Sequence, residues 1–211
     1  MGLEKINNNH IHPTSIIGPN VKLGINNYIG PYCVIVGDTV IGDNNRFEAY
    51  CSIGGPAETI GYFDRYDRQT IIGDNNIFRE FVTINQGSTK QTIIGNKVIM
   101  LRGSHVGHDS IIENNVVLAC NVLLGGYTYV MEGCNLGLGT ITHQFSKIGA
   151  YCMLGMGTIV TKTTSILPGG VYVGSPAKRI KQNSISFTKN QITDSMLEEL
   201  IKKYNSIIIE R

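Results

Sequence analysis

Residues 106–136 read VGHDSIIENNVVLACNVLLGGYTYVMEGCNL, and every sixth one is apolar: Val106, Ile112, Leu118, Leu124, Val130 and Leu136. Toward the C-terminus the beat continues through Thr142, Ile148, Leu154, Val160, Ile166 and Tyr172, with Thr142 departing from the apolar rule. In the other direction it runs back through Met100 to Ile94, then out of phase through Ile84, Phe78 and Ile72. A first run holds Ile11, Ile17, Leu23, Ile29, Ile35, Ile41, Phe47 and Ile53. Gly often follows the aliphatic residue, as in IGPNVK, IGDNNR and IGAYCM. Neither a helical period of about 3.6 nor a strand period of two produces this beat. A flat strand and a tight turn, repeated three times per coil, does. The aliphatic side chain then points into a triangular interior, and the next residue opens the corner.

The position four after the aliphatic residue is small in most hexads, as in Ser15, Val21, Cys33, Thr39, Cys51, Val82, Ser104, Thr140 and Thr158. A narrow interior requires that. Coils stacked about 4.8 Å apart pair their backbones along the axis, and the hexads predict a solenoid of about eight coils. The expected fold class is therefore all-β, a parallel β-helix over 1–177, with a short C-terminal α-helical extension over 178–211. Two breaks in phase predict external loops near 54–70 and 87–92. The first is charged and aromatic, with Tyr62, Phe63, Arg65, Tyr66 and Arg68. It reads either as a functional excursion or as a loop packed on a neighbouring subunit. In the extension, Ser195 and Glu198 have capping-box spacing. Met196, Leu197, Leu200, Ile201, Tyr204 and Ile208 make one apolar stripe, read as packing on the last coil or on another subunit.

Cys33 and Cys51, like Cys134 and Cys152, are 18 residues apart, one full coil, at the small inward position. They read as reduced small hydrophobes, and the absence of a Cys-x-x-Cys pair gives no metal site. The net charge is +2, charged residues make up 16% of the chain, and Lys178–Lys181 is the one basic run. That run reads as a solvated segment or a phosphate contact. No basic face asks for nucleic acid. The opening MGLEKINNNH lacks the apolar stretch of a signal peptide, and no stretch reaches the roughly 18 apolar residues of a membrane span. A cytoplasmic protein is expected.

Three of the five histidines are candidates for chemistry. His105 and His108 lie in GSHVGHD beside Asp109, and His143 lies in THQF, one residue short of two coils from His108. Acyl transfer from a thioester needs a base for the acceptor's proton, and neutral imidazole has a suitable pKa. It also needs a donor for the oxyanion, which a backbone N–H in the Leu124-Gly125-Gly126 turn would supply. His10 and His12 read as structural or exposed.

The segments REFVTINQGS, GSHVGHD, LGGY, THQF and IGAYCMLGM resemble the UDP-N-acetylglucosamine acyltransferases that begin lipid A synthesis, over nearly the whole chain from IHPTSIIGP onward. The resemblance implies a left-handed helix and a homotrimer with active sites in clefts between subunits. It also implies a nucleotide sugar as acceptor, acyl carrier protein as donor, and no cofactor beyond that acyl co-substrate. It makes His108 the general base, Asp109 its neighbour, Gly126 the oxyanion-hole glycine and His105 a second active-site histidine. His143 and Gln144 match a pair contacting the sugar nucleotide or acyl group. Departures lie on the acceptor side. Tyr127 replaces a histidine, and Asn85 with Gln86 replaces His-Arg; Tyr127 and Asn85 are expected to face substrate. Glu58-Thr59-Ile60-Gly61 keeps neither the acid nor the lysine of the first loop, an arginine pair gives way to residues near Ser184 and Ile185, and the C-terminal region is shortened. Met156 stands where the family has glycine or a bulkier stop, and predicts a short or medium acyl group; the alternative is a methionine filling the coil interior. The tail GVYVGSPAKRI resembles CoA-dependent sugar acetyltransferases, so CoA remains a second donor and an acetyl-CoA-dependent amino-sugar N-acetyltransferase the alternative reading. A zinc enzyme resembling the γ-type carbonic anhydrases would need a different order of histidines, and a non-catalytic scaffold would have no use for the histidine constellation.

Overall fold

Each hexad folds as a short strand and a corner, and three such units close one turn of a left-handed parallel β-helix. The computed structural model describes residues 4–6 and 8–209. The expected bounds 1–177 and 178–211 therefore include residues 1–3, 7, 210 and 211, which lie outside the described residues. Among the described residues the strands make an 11-stranded, an 8-stranded and a 7-stranded sheet, one per face of the prism. Neighbouring coils pair in parallel, in register, 18 residues apart where no loop intervenes, as in His105↔Leu123 and Leu123↔Ile141.

All hexad residues from Ile29 to Tyr172 are buried, while Ile17 and Leu23 near the first coil are half-buried. Thr142, the polar exception, is buried as well. Its hydroxyl accepts from the Gly125 N–H at 3.3 Å and lies 3.2 Å from the Thr128 hydroxyl, so its polarity is satisfied. The four cysteines face inward, and the thiols of Cys33, Cys134 and Cys152 donate to carbonyls at 2.9–3.0 Å.

Asparagine's abundance has a structural use at one corner. Asn9 Oδ1 accepts from the Asn27 N–H at 2.8 Å, Asn27 Oδ1 from Asn45 N–H at 2.8 Å, and Asn45 Oδ1 from Asn76 N–H at 3.0 Å. Each amide thus satisfies a buried backbone donor of the next coil. Truncating Asn27 to alanine would leave the Asn45 N–H buried and unpaired, which costs about 1–3 kcal/mol. Urea denaturation should show that loss for Asn27→Ala, and an unchanged midpoint would remove the ladder from the account of stability.

The two loops leave where the phase breaks. Coil-to-coil pairing lengthens to 31 residues across the first, Asp38↔Gln69, and to 22 across the second, Thr70↔Thr92. The first loop is anchored from beneath: Asn85 Nδ2 donates to the Pro56 carbonyl at 2.8 Å, and Gln86 Nε2 donates to the Arg65 carbonyl.

Both ends of the prism carry antiparallel strands that the hexad pattern does not announce. Glu4–Ile6 pairs with Asn9–Ile11, and Lys178–Gln182 folds back on Gly170–Val173. A stacked solenoid otherwise presents a bare sheet edge at each end. The basic run Lys178–Lys181 lies on the last of these strands, exposed throughout. Two helices follow, α1 (Ser184–Asn190) and α2 (Asp194–Ser206). α1 is an addition to the sequence reading. The start of α2 is a correction: Thr193 is the N-cap, its hydroxyl accepting from the Met196 N–H, and Ser195 lies inside the first turn. Threonine does the capping because its extended backbone turns the hydroxyl back over that turn. Tyr204 buries the helix stripe against Met131 and Ala150, and Lys147 Nζ donates to the Tyr204 and Ile207 carbonyls. Met196 and Ile208 remain exposed. Among the described residues no helix is long and apolar enough to cross a membrane.

Candidate active site

The corner after strand His105–Val106 carries His108 and Asp109, and the same corner one and two coils on carries Gly126-Tyr127 and Gln144-Phe145. Asp109, Tyr127 and Phe145 have φ of 59°, 57° and 62°, the left-handed region in which aspartate is tolerated and aromatic residues are costly. The ring of Tyr127 stacks on Phe145 at 4.6 Å and presents an edge contact to His108 at 5.3 Å.

His108 Nδ1 lies 2.6 Å from Asp109 Oδ2. The carboxylate is buried and clasped by the second loop. Oδ2 accepts from Ser88 N–H at 2.8 Å and its hydroxyl at 2.7 Å; Oδ1 accepts from the N–H groups of Thr89 at 2.9 Å and Lys90 at 2.6 Å. Burial pushes its pKa up, but hydrogen bonds from His108, Lys90 and Ser88 together outweigh it and hold it well below the usual carboxylate range. An ionised carboxylate only accepts, so His108 Nδ1 carries a proton and Nε2 of the neutral ring is left with a lone pair.

Nε2 points at Gly126. A Cβ built there would stand 2.6 Å from that nitrogen, so glycine is required by the imidazole itself. The Gly126 N–H meets no acceptor among the described residues. His108, Gly126, His105, Glu58 and Gln144 line an open cleft of about 340 Å³, with the outward-facing Leu123 and Ile141 as its apolar wall. His105 Nδ1 lies 2.8 Å from the Thr83 hydroxyl, and its Nε2 3.7 Å from Glu58. Burial lowers the His105 pKa, which Glu58 partly offsets and His108 reinforces.

The fold thus brings His105, His108, Asp109, Gly126 and Gln144 together. His143 is not brought in: it is exposed, with Nδ1 2.8 Å from the Gln144 carbonyl, because two full coils from His108 lead to residue 144. Asn85 ties down the first loop, and Tyr127 bonds to the second. Met156 is 75% exposed on an outer corner, so it does not fill the coil interior. Glu58 was missed, since the loop's length hides its register; the fold returns an acid to the cleft where the motif had lost one. Thr83, Ser88 and Thr89 were also missed. Thr83 pairs in register with His105, so it becomes visible once the second loop is subtracted. Among the described residues no three His, Cys, Asp or Glu side chains form a group that could hold a metal ion.

The family described as "Bacterial transferase hexapeptide (six repeats)" matches residues 20–55. An acyl-(acyl-carrier-protein)–UDP-N-acetylglucosamine O-acyltransferase of Agrobacterium fabrum is 30% identical over 158 residues, 74% of this chain and 57% of that protein. Its counterpart in Sinorhizobium fredii is 27% identical over the same shares. The solved UDP-N-acetylglucosamine acyltransferase of Campylobacter jejuni superposes with a TM-score of 0.76 at 26% identity, covering 95% of this chain and 85% of that one. The chain is a hexapeptide-repeat relative of the UDP-N-acetylglucosamine acyltransferases. This relative spans about half the length of the curated proteins it matches, 57% of those from S. fredii and A. fabrum.

Proposed function

We propose that the chain is an acyltransferase that moves a short or medium acyl group from acyl carrier protein or CoA to a hydroxyl or amine of a nucleotide-activated sugar. One observation carries this: a buried Asp109–His108 pair whose free imidazole nitrogen lies against Gly126, at the foot of an apolar strip on the prism's outside. Leu123, Ile141 and Ile159 follow His105 in register up that strip, with Leu138 and Met156 on the corner beside it.

In this reading His108 Nε2 takes the proton of the acceptor as its oxygen or nitrogen attacks the thioester carbonyl. The Gly126 N–H holds the oxyanion. The tetrahedral intermediate then expels the thiolate, which recovers the proton from the imidazolium. Glu58 and Gln144 face the acceptor, His105 completes the polar wall, and a neighbouring copy in a homotrimer closes the cleft. The donor is the only co-substrate. Incubation with a panel of acyl-CoA and acyl-carrier donors against UDP- and dTDP-amino sugars tests it. Transfer of acetyl alone, from CoA to an amine, would select the N-acetyltransferase form of the proposal; no transfer from any donor would overturn it.

Met156 supports the short or medium group. It lies two coils above Gly126, about 10 Å along the axis, exposed on the corner that leads into Ile159 of the strip. Met156→Gly should move the preferred donor to a longer chain by several methylenes, each worth about 0.8 kcal/mol when buried. Competition between donors of graded length reads this directly. An unmoved optimum would free Met156 of that role.

A further inference from the structure

Asp109 is held by a loop, and that loop is held by Tyr127. The Tyr127 hydroxyl lies 3.0 Å from the Ser88 hydroxyl and 2.9 Å from that of Thr89. Those two residues in turn supply four donors to the Asp109 carboxylate, through both backbone N–H groups and both hydroxyls. The loop is built for close approach: a Cβ on Gly87 would meet the Lys90 carbonyl at 1.8 Å and Asp109 Oδ1 at 3.1 Å. The phenol's other contacts leave it little freedom. Phe145 stacks on one face, His108 meets it at 85°, and the Tyr127 N–H donates to the His108 carbonyl at 2.8 Å.

We propose that Tyr127 is a positioning residue: it latches the 87–91 loop over Asp109 and so sets the orientation and basicity of His108. This goes beyond the transfer reaction proposed above and rests on it only in taking His108 as the working base. The physical consequence concerns how Asp109's charge is shared. Donors from the latched loop disperse it and weaken its pull on the imidazolium. An unlatched loop gives up part of that dispersal, so the carboxylate attracts His108's second proton more strongly. The groups facing His108 are Asp109 beside it, Tyr127 from the next coil, and His105 with Glu58 in the same cleft; Lys90 rides on the loop.

Tyr127→Phe removes the hydroxyl and keeps the stack. NMR titration of the His108 ring in the full chain, without donor or acceptor, should show its midpoint moved to higher pH. Turnover should fall by about tenfold or more through misplacement of the base, with KM for donor and acceptor unchanged and the acid limb of the pH profile displaced upward. Thr89→Val, at an exposed position, should shift both readouts in the same direction by less, and stands in if Tyr127→Phe folds poorly. An unmoved His108 midpoint in both variants overturns the proposal. So does a raised KM with unchanged turnover, which would make Tyr127 a substrate contact. Because the titration needs no substrate, a moved midpoint in a protein inert toward every donor would uphold the latch while removing the transfer reaction.

Discussion

His108→Ala should lower turnover by at least about 10²-fold while the β-helix remains intact. The loss is that of the base alone, because the oxyanion donor and the apolar strip are built from other residues. Gly126 keeps its corner through backbone bonds of the neighbouring coils, such as Phe145 N–H to the Gly126 carbonyl at 2.9 Å. The fold survives because the imidazole lies outside the triangular interior: Val106 and Leu124 fill that interior on the same coils, and both are fully buried. Steady-state rates with the donor and acceptor selected by the panel, beside a thermal melt, measure the two parts separately. A variant that turns over normally would remove His108 from the mechanism.

Asp109→Asn is expected to be at least as damaging, for a different reason. The carboxylate accepts from His108 and from three consecutive loop N–H groups at once. An amide offers one accepting oxygen, and its NH2 must face either the loop's donors or His108 Nδ1–H. Turned toward the histidine, it forces the proton onto Nε2 and abolishes the lone pair that faces Gly126. In a serine-protease triad the same exchange costs about 10⁴ in turnover through the wrong tautomer. Here a loss of at least about 10²-fold is expected.

The same variant has a stability signature. Asp109's folded pKa is depressed by donors that the unfolded chain lacks. Its contribution is therefore fully present above the unfolded value of about 3.9 and is lost as pH falls through the lower folded value. The wild-type protein should lose more stability than Asp109→Asn between pH 7 and pH 3. Parallel losses in denaturant titrations at the two pH values would show that the clasp contributes nothing.

The prism was legible because its rule is local and repeated. An inward side chain every six residues is a demand of a triangular coil, and Val106 through Leu136 meet it without exception. The same register carried His105, His108 and Gly126 to one cleft, since a whole number of coils separates His108 from Gly126. It failed for His143, which lies one residue off that column, and for Ser195, where two candidate caps stand within three residues.

Glu58, Ser88 and Tyr127 belong to the other category. The loops that carry Glu58 and Ser88 have no period to count along, so where their side chains come to rest follows from which buried donors and acceptors they can satisfy. Asn85 holding Pro56 turns the first loop toward His105, and Asp109 gathering three backbone N–H groups draws the second over the histidine. Tyr127 sits on the periodic lattice, yet its hydroxyl finds its partners only across a gap of 38 to 39 residues. Sequence alone determined the coils, because burial of one apolar side chain per hexad decides them residue by residue. The arrangement around His108 was decided in three dimensions, where hydrogen bonds between distant segments must all be met at once.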